Sequence, residues 1–376
     1  MVSVFDKIIM VRRIKNLPVK NKMQSVSPIA RKNLDGLTAV RFFAAFWVFI
    51  FHFHLRIPLD FHYRVIRIIE NGALAMPIFF MLSGLVLGYR YHDKYDTFSA
   101  FYRTRIARIY PAYIMGVLMC IPFLPSMQGL DAATLFFIVP VDLLLIQAWY
   151  PNLWHFWHHA GTWSISVEFF LYASFPLFLG LSKVSTRLLI AFCTACVLLA
   201  GSWIPSLGIG ASKDMPLPVF YAIPIYSLPA FMIGVALAEL HRRGFKGYGS
   251  APIALMLVLG IGGQFNSRYA GLNLVTLPLI AFTLLFAAAY QDDKGIARIF
   301  INRGTIYLGD LSYAFFVYQI PIILALEHYI KIVHTLPVWL IAGLALVANL
   351  SLAAVSHHWL EPWGRRLIMK GGRKQQ

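Results

Sequence analysis

The sequence predicts an all-α, polytopic transmembrane helical bundle of about ten spans. Three observations carry that expectation. The chain is 59% hydrophobic and 13% charged, whereas a soluble domain sits nearer half apolar and about a quarter charged. Apolar runs close to the roughly 20 residues that cross a bilayer recur along its length. Lysine and arginine gather in the short polar stretches on one side of those runs, as the positive-inside bias requires.

By length, candidate spans cover roughly 37–56, 71–90, 109–127, 131–150, 163–182, 186–204, 217–239, 251–265, 272–290, 306–326 and 335–357. The stretch before the first carries Lys7, Arg12, Arg13, Lys15, Lys20, Lys22, Arg31 and Lys32. The stretch after the last carries Arg365, Arg366, Lys370, Arg373 and Lys374. Both are therefore expected on the cytoplasmic side. Two ends on one side need an even number of crossings, so one of the eleven candidates fails. Followed inward from both ends, the bias places the failure between 109 and 150. Pro122, Pro125, Asp131, Pro140 and Asp142 interrupt that region.

The expected organisation is a basic tail over 1–36, a transmembrane domain over 37–362 and a second basic tail over 363–376. Within the first tail, Val4 to Ile14 interleaves apolar and basic residues and suits a helix lying on an anionic membrane surface. A polar stretch of this kind before a full-length span is not a cleavable signal. The net charge of +17 belongs to these tails and loops, which argues against a nucleic-acid partner. Cys120, Cys193 and Cys196 all lie in apolar runs. The C-T-A-C spacing of the last two puts small residues on one helix face, where membrane helices pack.

Ionisable and polar residues inside spans are costly and default to functional candidates. In the first span, Arg41 and His52 are eleven apart, which on an α-helix is one face and about 16 Å of axis. With the N-terminus inside, the cation lies toward the cytoplasm and the imidazole toward the far side. The alternative is that Arg41 snorkels to headgroups and His52 sits at the outer interface. Ser83 and Gly84 in F-F-M-L-S-G-L suit close helix packing, and a nucleophilic Ser83 has no base nearby in sequence. Arg103, Arg105 and Arg108 crowd one membrane edge, with Pro111 expected in the first turn of the following span. They suit either positive-inside anchoring or bidentate phosphate binding.

The segment from His155 to Pro176 holds His155, His158 and His159, but no acidic or cysteine partner stands at metal-ligand spacing, so no metal is expected. It also holds Trp163, Ser166 and Glu168. Glu168 is a carboxyl within a span. It needs a cation there, or it orients His52 as a carboxylate orients a catalytic imidazole. Near the C-terminal end, Tyr313, Tyr318 and Gln319 share a span. The amide suits a hydrogen bond to a neighbouring helix.

In order and spacing these segments resemble the acyltransferase-3 family of bacterial membrane O-acyltransferases, from about Leu37 to Pro362. The most specific element is the arginine–ten residues–histidine pattern, matched by Arg41 and His52. The F-F-x-L-S-G, R-I-Y-P and W-S-x-S-V-E segments match as well. Two positions depart from the family pattern. Thr38 stands where the family often has aspartate, Asp35 and Gly36 being out of register, and Gln319 stands where it often has histidine.

The resemblance implies a transferase of the bacterial cytoplasmic (inner) membrane. Its reaction would move an acyl group, usually acetyl, from cytoplasmic acyl-CoA to a sugar hydroxyl of an exported or cell-surface glycan, with no tightly bound cofactor. His52 and Glu168 would serve the chemistry, and Arg41, Arg103, Arg105 and Arg108 would hold acyl-CoA. Ser83, Trp163, Ser166, Tyr313 and Gln319 would line or support the site. The rival reading from another class is a proton-coupled secondary transporter of a polysaccharide precursor or organic anion, although no inverted repeat is evident.

Overall fold

The computed structural model describes residues 34–93, 97–123, 131–150, 162–206, 223–244, 277–281, 283–284, 300–333 and 336–370. Among them every regular element is helical. The helices are α1 (Asp35–Arg56), α2 (Tyr63–Glu70), α3 (Ala75–Tyr91), α4 (Phe98–Cys120), α5 (Ala132–Leu143) and α6 (Trp163–Phe178). They continue with α7 (Thr186–Ser206), α8 (Leu228–Arg242), α9 (Arg303–Val333), α10 (Val338–Val355) and α11 (Glu361–Lys370). Seven segments of the described chain are long and apolar enough to cross a membrane: Asp35–Arg56, Tyr63–Tyr91, Phe98–Phe123, Trp163–Leu181, Pro224–Arg242, Arg303–Tyr329 and Val338–Lys370. The basic stretch before Leu34, His155, His158 and His159, the candidate span at 251–265 and the last six residues lie outside the described residues.

The candidate span at 131–150 does not form a crossing helix. Asp131 caps α5, its carboxylate accepting the Thr134 N–H at 2.7 Å. Twelve residues of helix then cover only about 18 Å, against a hydrocarbon core of roughly 30 Å. The chain turns at Leu145, whose φ is 58°, and continues as a 3-10 turn, Gln147–Trp149. Gln147 and Ala148 are buried here, and three hydrogen bonds hold the segment. Tyr113 OH donates to the Asp142 carbonyl at 2.7 Å, and Ser166 Oγ donates to the Leu145 carbonyl at 2.7 Å. The Gln147 amide donates to the Thr162 carbonyl at 3.1 Å. Backbone groups exposed by a turn in an apolar surrounding must find such partners.

Two further boundaries differ from the sequence reading. Pro111 lies inside α4 rather than in its first turn. Thr97 starts that helix about three turns earlier than the apolar run implies, its hydroxyl accepting the Ala100 N–H at 3.2 Å. At the C-terminal end the helix does not stop at Pro362. A π-helical turn, Ser356–Leu360, leads straight into α11. Proline cannot donate to the ladder and crowds the preceding carbonyls, and a π turn redistributes those bonds.

Glycines set the closest helix crossings. α1 and α9 run parallel, with Gly309 against Thr38, Phe315 between Phe42 and Phe49, and Arg56 paired with Glu327 at 2.8 Å. α3 and α8 also run parallel and touch through Gly84 and Gly234. A Cβ on Gly84 would stand 2.1 Å from the Phe231 carbonyl oxygen, and one on Gly234 would stand 1.9 Å from that of Met81. Membrane helices use small residues for such backbone contact. Gly234→Ala is therefore expected to lower stability by about 1–3 kcal/mol, the usual cost of overpacking. The melting temperature of the detergent-solubilised variant checks this; no change would mean that α3 and α8 separate freely.

Candidate active site

Five helices line a cavity. One end is polar. α1 contributes Arg41, α3 Ser83, α4 Arg105 and Arg108, α6 Glu168 and Tyr172, and α9 Ser312 and Tyr313. The other end is apolar, lined by Met76, Phe79 and Phe316, the two rings lying 5.8 Å apart. Helical spacing explains the polar set. Arg105 and Arg108 are three apart and Glu168 and Tyr172 four apart, so each pair shares one face of its helix.

Inside the cavity the charges are unequal. Three arginines face one carboxylate, Glu168. Glu168 Oε1 accepts hydrogen bonds from Ser83 Oγ at 3.0 Å and from Tyr172 OH. Arg41 and Arg108 both lie in the field of Glu168 and Tyr172, with Asp310 acting on Arg41 and Glu361 on Arg108. Arg105 is held differently. Its Nη2 donates to Tyr91 OH at 3.0 Å, and its guanidinium carbon lies 5.5–5.7 Å from the ring centres of Tyr91, Phe101 and Tyr172. That cage fixes the fork while desolvating it, which strengthens cation–π attraction.

The structure regroups the sequence candidates. Arg41, Ser83, Arg105, Arg108, Glu168 and Tyr313 meet around the cavity. Arg103 does not line it. Two positions from Arg105, it falls on the opposite side of α4. Glu168 is not a partner of His52; its hydrogen bonds go to Ser83 and Tyr172. Tyr313 lines the cavity while its hydroxyl donates to the Ile109 carbonyl at 2.8 Å. Ser166 supports the buried turn of α5, and Trp163 packs edge-on against Phe80.

His52 and Gln319 lie together between α1 and α9, outside the cavity lining. Phe316 stands three residues before Gln319, so the apolar end of the cavity stops about one helical turn short of that pair. Sequence reasoning missed Tyr172, Asp310 and Glu361. The i,i+4 spacing to Glu168 could have found the first. The other two lie near Arg41 and Arg108 only through packing of distant segments.

Fold and site together define a multi-pass helical membrane protein with an arginine-lined cavity inside the bundle. Residues 34–358 match the acyltransferase domain of the acyltransferase-3 family. The chain is also 30% identical over 321 residues to Acyltransferase MdmB of Streptomyces mycarofaciens, a match covering 77% of this chain and 79% of that protein. No solved structure matches. The chain belongs to the acyltransferase-3 family and is a membrane acyltransferase.

Proposed function

We propose that this acyltransferase moves an acyl group, acetyl in the simplest case, from acyl-CoA to a hydroxyl of a glycan or lipid-linked sugar. The observation that carries the reading is the charge of the cavity: Arg41, Arg105 and Arg108 against the single carboxylate Glu168. A cavity with that excess recruits an anion. Guanidinium forks suit phosphate in particular. The inner phosphates of coenzyme A would lie among the arginines. The pantetheine arm would follow the wall of Ser83, Phe79 and Phe316 toward His52.

At that end neutral His52 takes the proton of the acceptor hydroxyl. The hydroxyl oxygen attacks the thioester carbonyl, the C–S bond breaks, and the coenzyme A thiolate leaves with the proton returned by the imidazolium. In this reading Glu168 balances Arg41 and Arg108 and leaves the imidazole to other neighbours. The basic stretches at both ends of the sequence support cytoplasmic termini in a bacterial inner membrane. The arginine end of the cavity then faces the donor pool.

The test is a reconstitution. Purified protein in liposomes is expected to release free coenzyme A from acetyl-CoA only when a hydroxyl acceptor is present. Solute flux without acyl-CoA, and no acceptor-dependent thiol release, would instead establish transport.

A further inference from the structure

Two aromatic side chains stand together near the arginines of the cavity, and the acyl-transfer step does not use them. Tyr307 is 42% exposed, and His358 is exposed as well. Their ring centres lie 6.0 Å apart with the planes 23° from parallel, and Tyr307 OH shares a hydrogen bond with His358 Nε2 at 3.1 Å. The His357 ring lies 5.2 Å from that of His358. His358 belongs to the π turn Ser356–Leu360, a geometry that recurs at functional sites.

The neighbours of the pair fix its place. Asp310, three residues from both Tyr307 and Tyr313 on α9, acts on Arg41 and on His357. Glu361, three residues past His358, acts on Arg108. Gly364 then lies against Pro111, three residues past Arg108 on α4; a Cβ there would stand 2.5 Å from the proline ring. Tyr313 lines the cavity. Six residues of α9 separate it from Tyr307, about 9 Å of helix axis.

We infer that Tyr307 and His358 form the platform on which the adenine base of the donor stacks. The inference rests on the acyl-CoA reading and deepens it. Coenzyme A places a ribose between its pyrophosphate and its base. With the inner phosphates held by Arg41 and Arg108, that ribose bridges the rise from Tyr313 to Tyr307, and the base arrives at the exposed rings. A base offers its π face to an aromatic side chain. The Tyr307–His358 hydrogen bond orients both rings before the ligand arrives, which lowers the ordering cost of binding. The rival role for such aromatics is anchoring at a lipid interface. An anchor makes no distinction between donors with and without a base.

The experiment measures binding of two donors to the purified full chain: acetyl-CoA, and S-acetyl-4′-phosphopantetheine, which lacks the adenosine end. Wild type is expected to bind acetyl-CoA the more tightly. Tyr307→Ala and His358→Ala should each weaken acetyl-CoA binding by roughly 5–150-fold, the worth of one base–aromatic stack, and leave the shorter donor unchanged. Tyr307→Phe keeps the ring and should retain most of the affinity. Should Tyr307→Ala fail to fold, Tyr307→Leu fills the space without a ring and serves in its place. Equal binding of the two donors by wild type overturns the inference and leaves acyl transfer standing. So do alanine variants that keep full acetyl-CoA affinity or weaken both donors alike. Binding of neither donor by wild type removes the acyl-CoA reading and this inference with it.

Discussion

His52→Ala is expected to lower acyl transfer by roughly 10²–10⁴-fold, the range a positioned general base contributes. The imidazole sits in α1, its ring 5.2 Å from that of Phe51, and it does not line the arginine cavity. Truncation removes a side chain with an unpartnered Nδ1 and leaves the cavity walls in place. Acetyl-CoA should therefore bind the variant as it binds wild type while turnover collapses. The measurement is kcat on purified protein alongside an acetyl-CoA Kd and a melting curve. A folded His52→Ala protein with a near-normal rate would remove His52 from the chemistry. Glu168→Gln provides the contrast. Glu168 takes its hydrogen bonds from Ser83 and Tyr172, so neutralising it should alter donor affinity. If it collapsed kcat as His52→Ala does, with Kd unchanged, a carboxylate–imidazole couple would have to form during the reaction.

The first helix was legible because everything needed to read it is local. Eleven residues of spacing and the helical repeat put Arg41 and His52 on one face, and intramembrane cost marked both as candidates. Gly84 was legible for the same reason, a small residue in an apolar helix. Legibility ended where a side chain meets another helix. Glu168 could have faced His52 or an arginine. Its Ser83 bond depends on α3 lying beside α6, which nothing in the W-S-I-S-V-E segment specifies. The three arginines of α4 read as one basic edge, although a helix divides Arg103 from Arg105 and Arg108. The region from 109 to 150 was flagged by its prolines and carboxyls. That α5 is the segment that fails to cross follows from contacts made by Tyr113 and Ser166, each more than 20 residues from its partner in the chain.

That division of the arginines makes a sharp prediction. Arg41→Ala and Arg108→Ala are each expected to weaken acetyl-CoA binding by roughly 10–100-fold, as loss of a charge-assisted hydrogen bond to phosphate would. Arg103→Ala should stay near wild type, because Arg103 does not line the cavity. If all three variants lost affinity equally, the arginines would be acting as a diffuse surface charge, and the effect would fade with salt. Pairs within the bundle are screened far less, so the losses at Arg41 and Arg108 should persist at high ionic strength. Arg108→Lys refines the point. Lysine keeps the charge but loses the planar fork. If the fork holds a phosphate, Arg108→Lys falls between wild type and alanine; if only the field matters, it binds as wild type. Arg105 is the poorest position for this comparison. Its guanidinium is bonded to Tyr91 and enclosed by three rings, so its removal also unpacks α4 from α3 and α6. The donor site is therefore best defined by Arg41 and Arg108, which share Glu168 as their common counter-charge and reach the cavity from different helices.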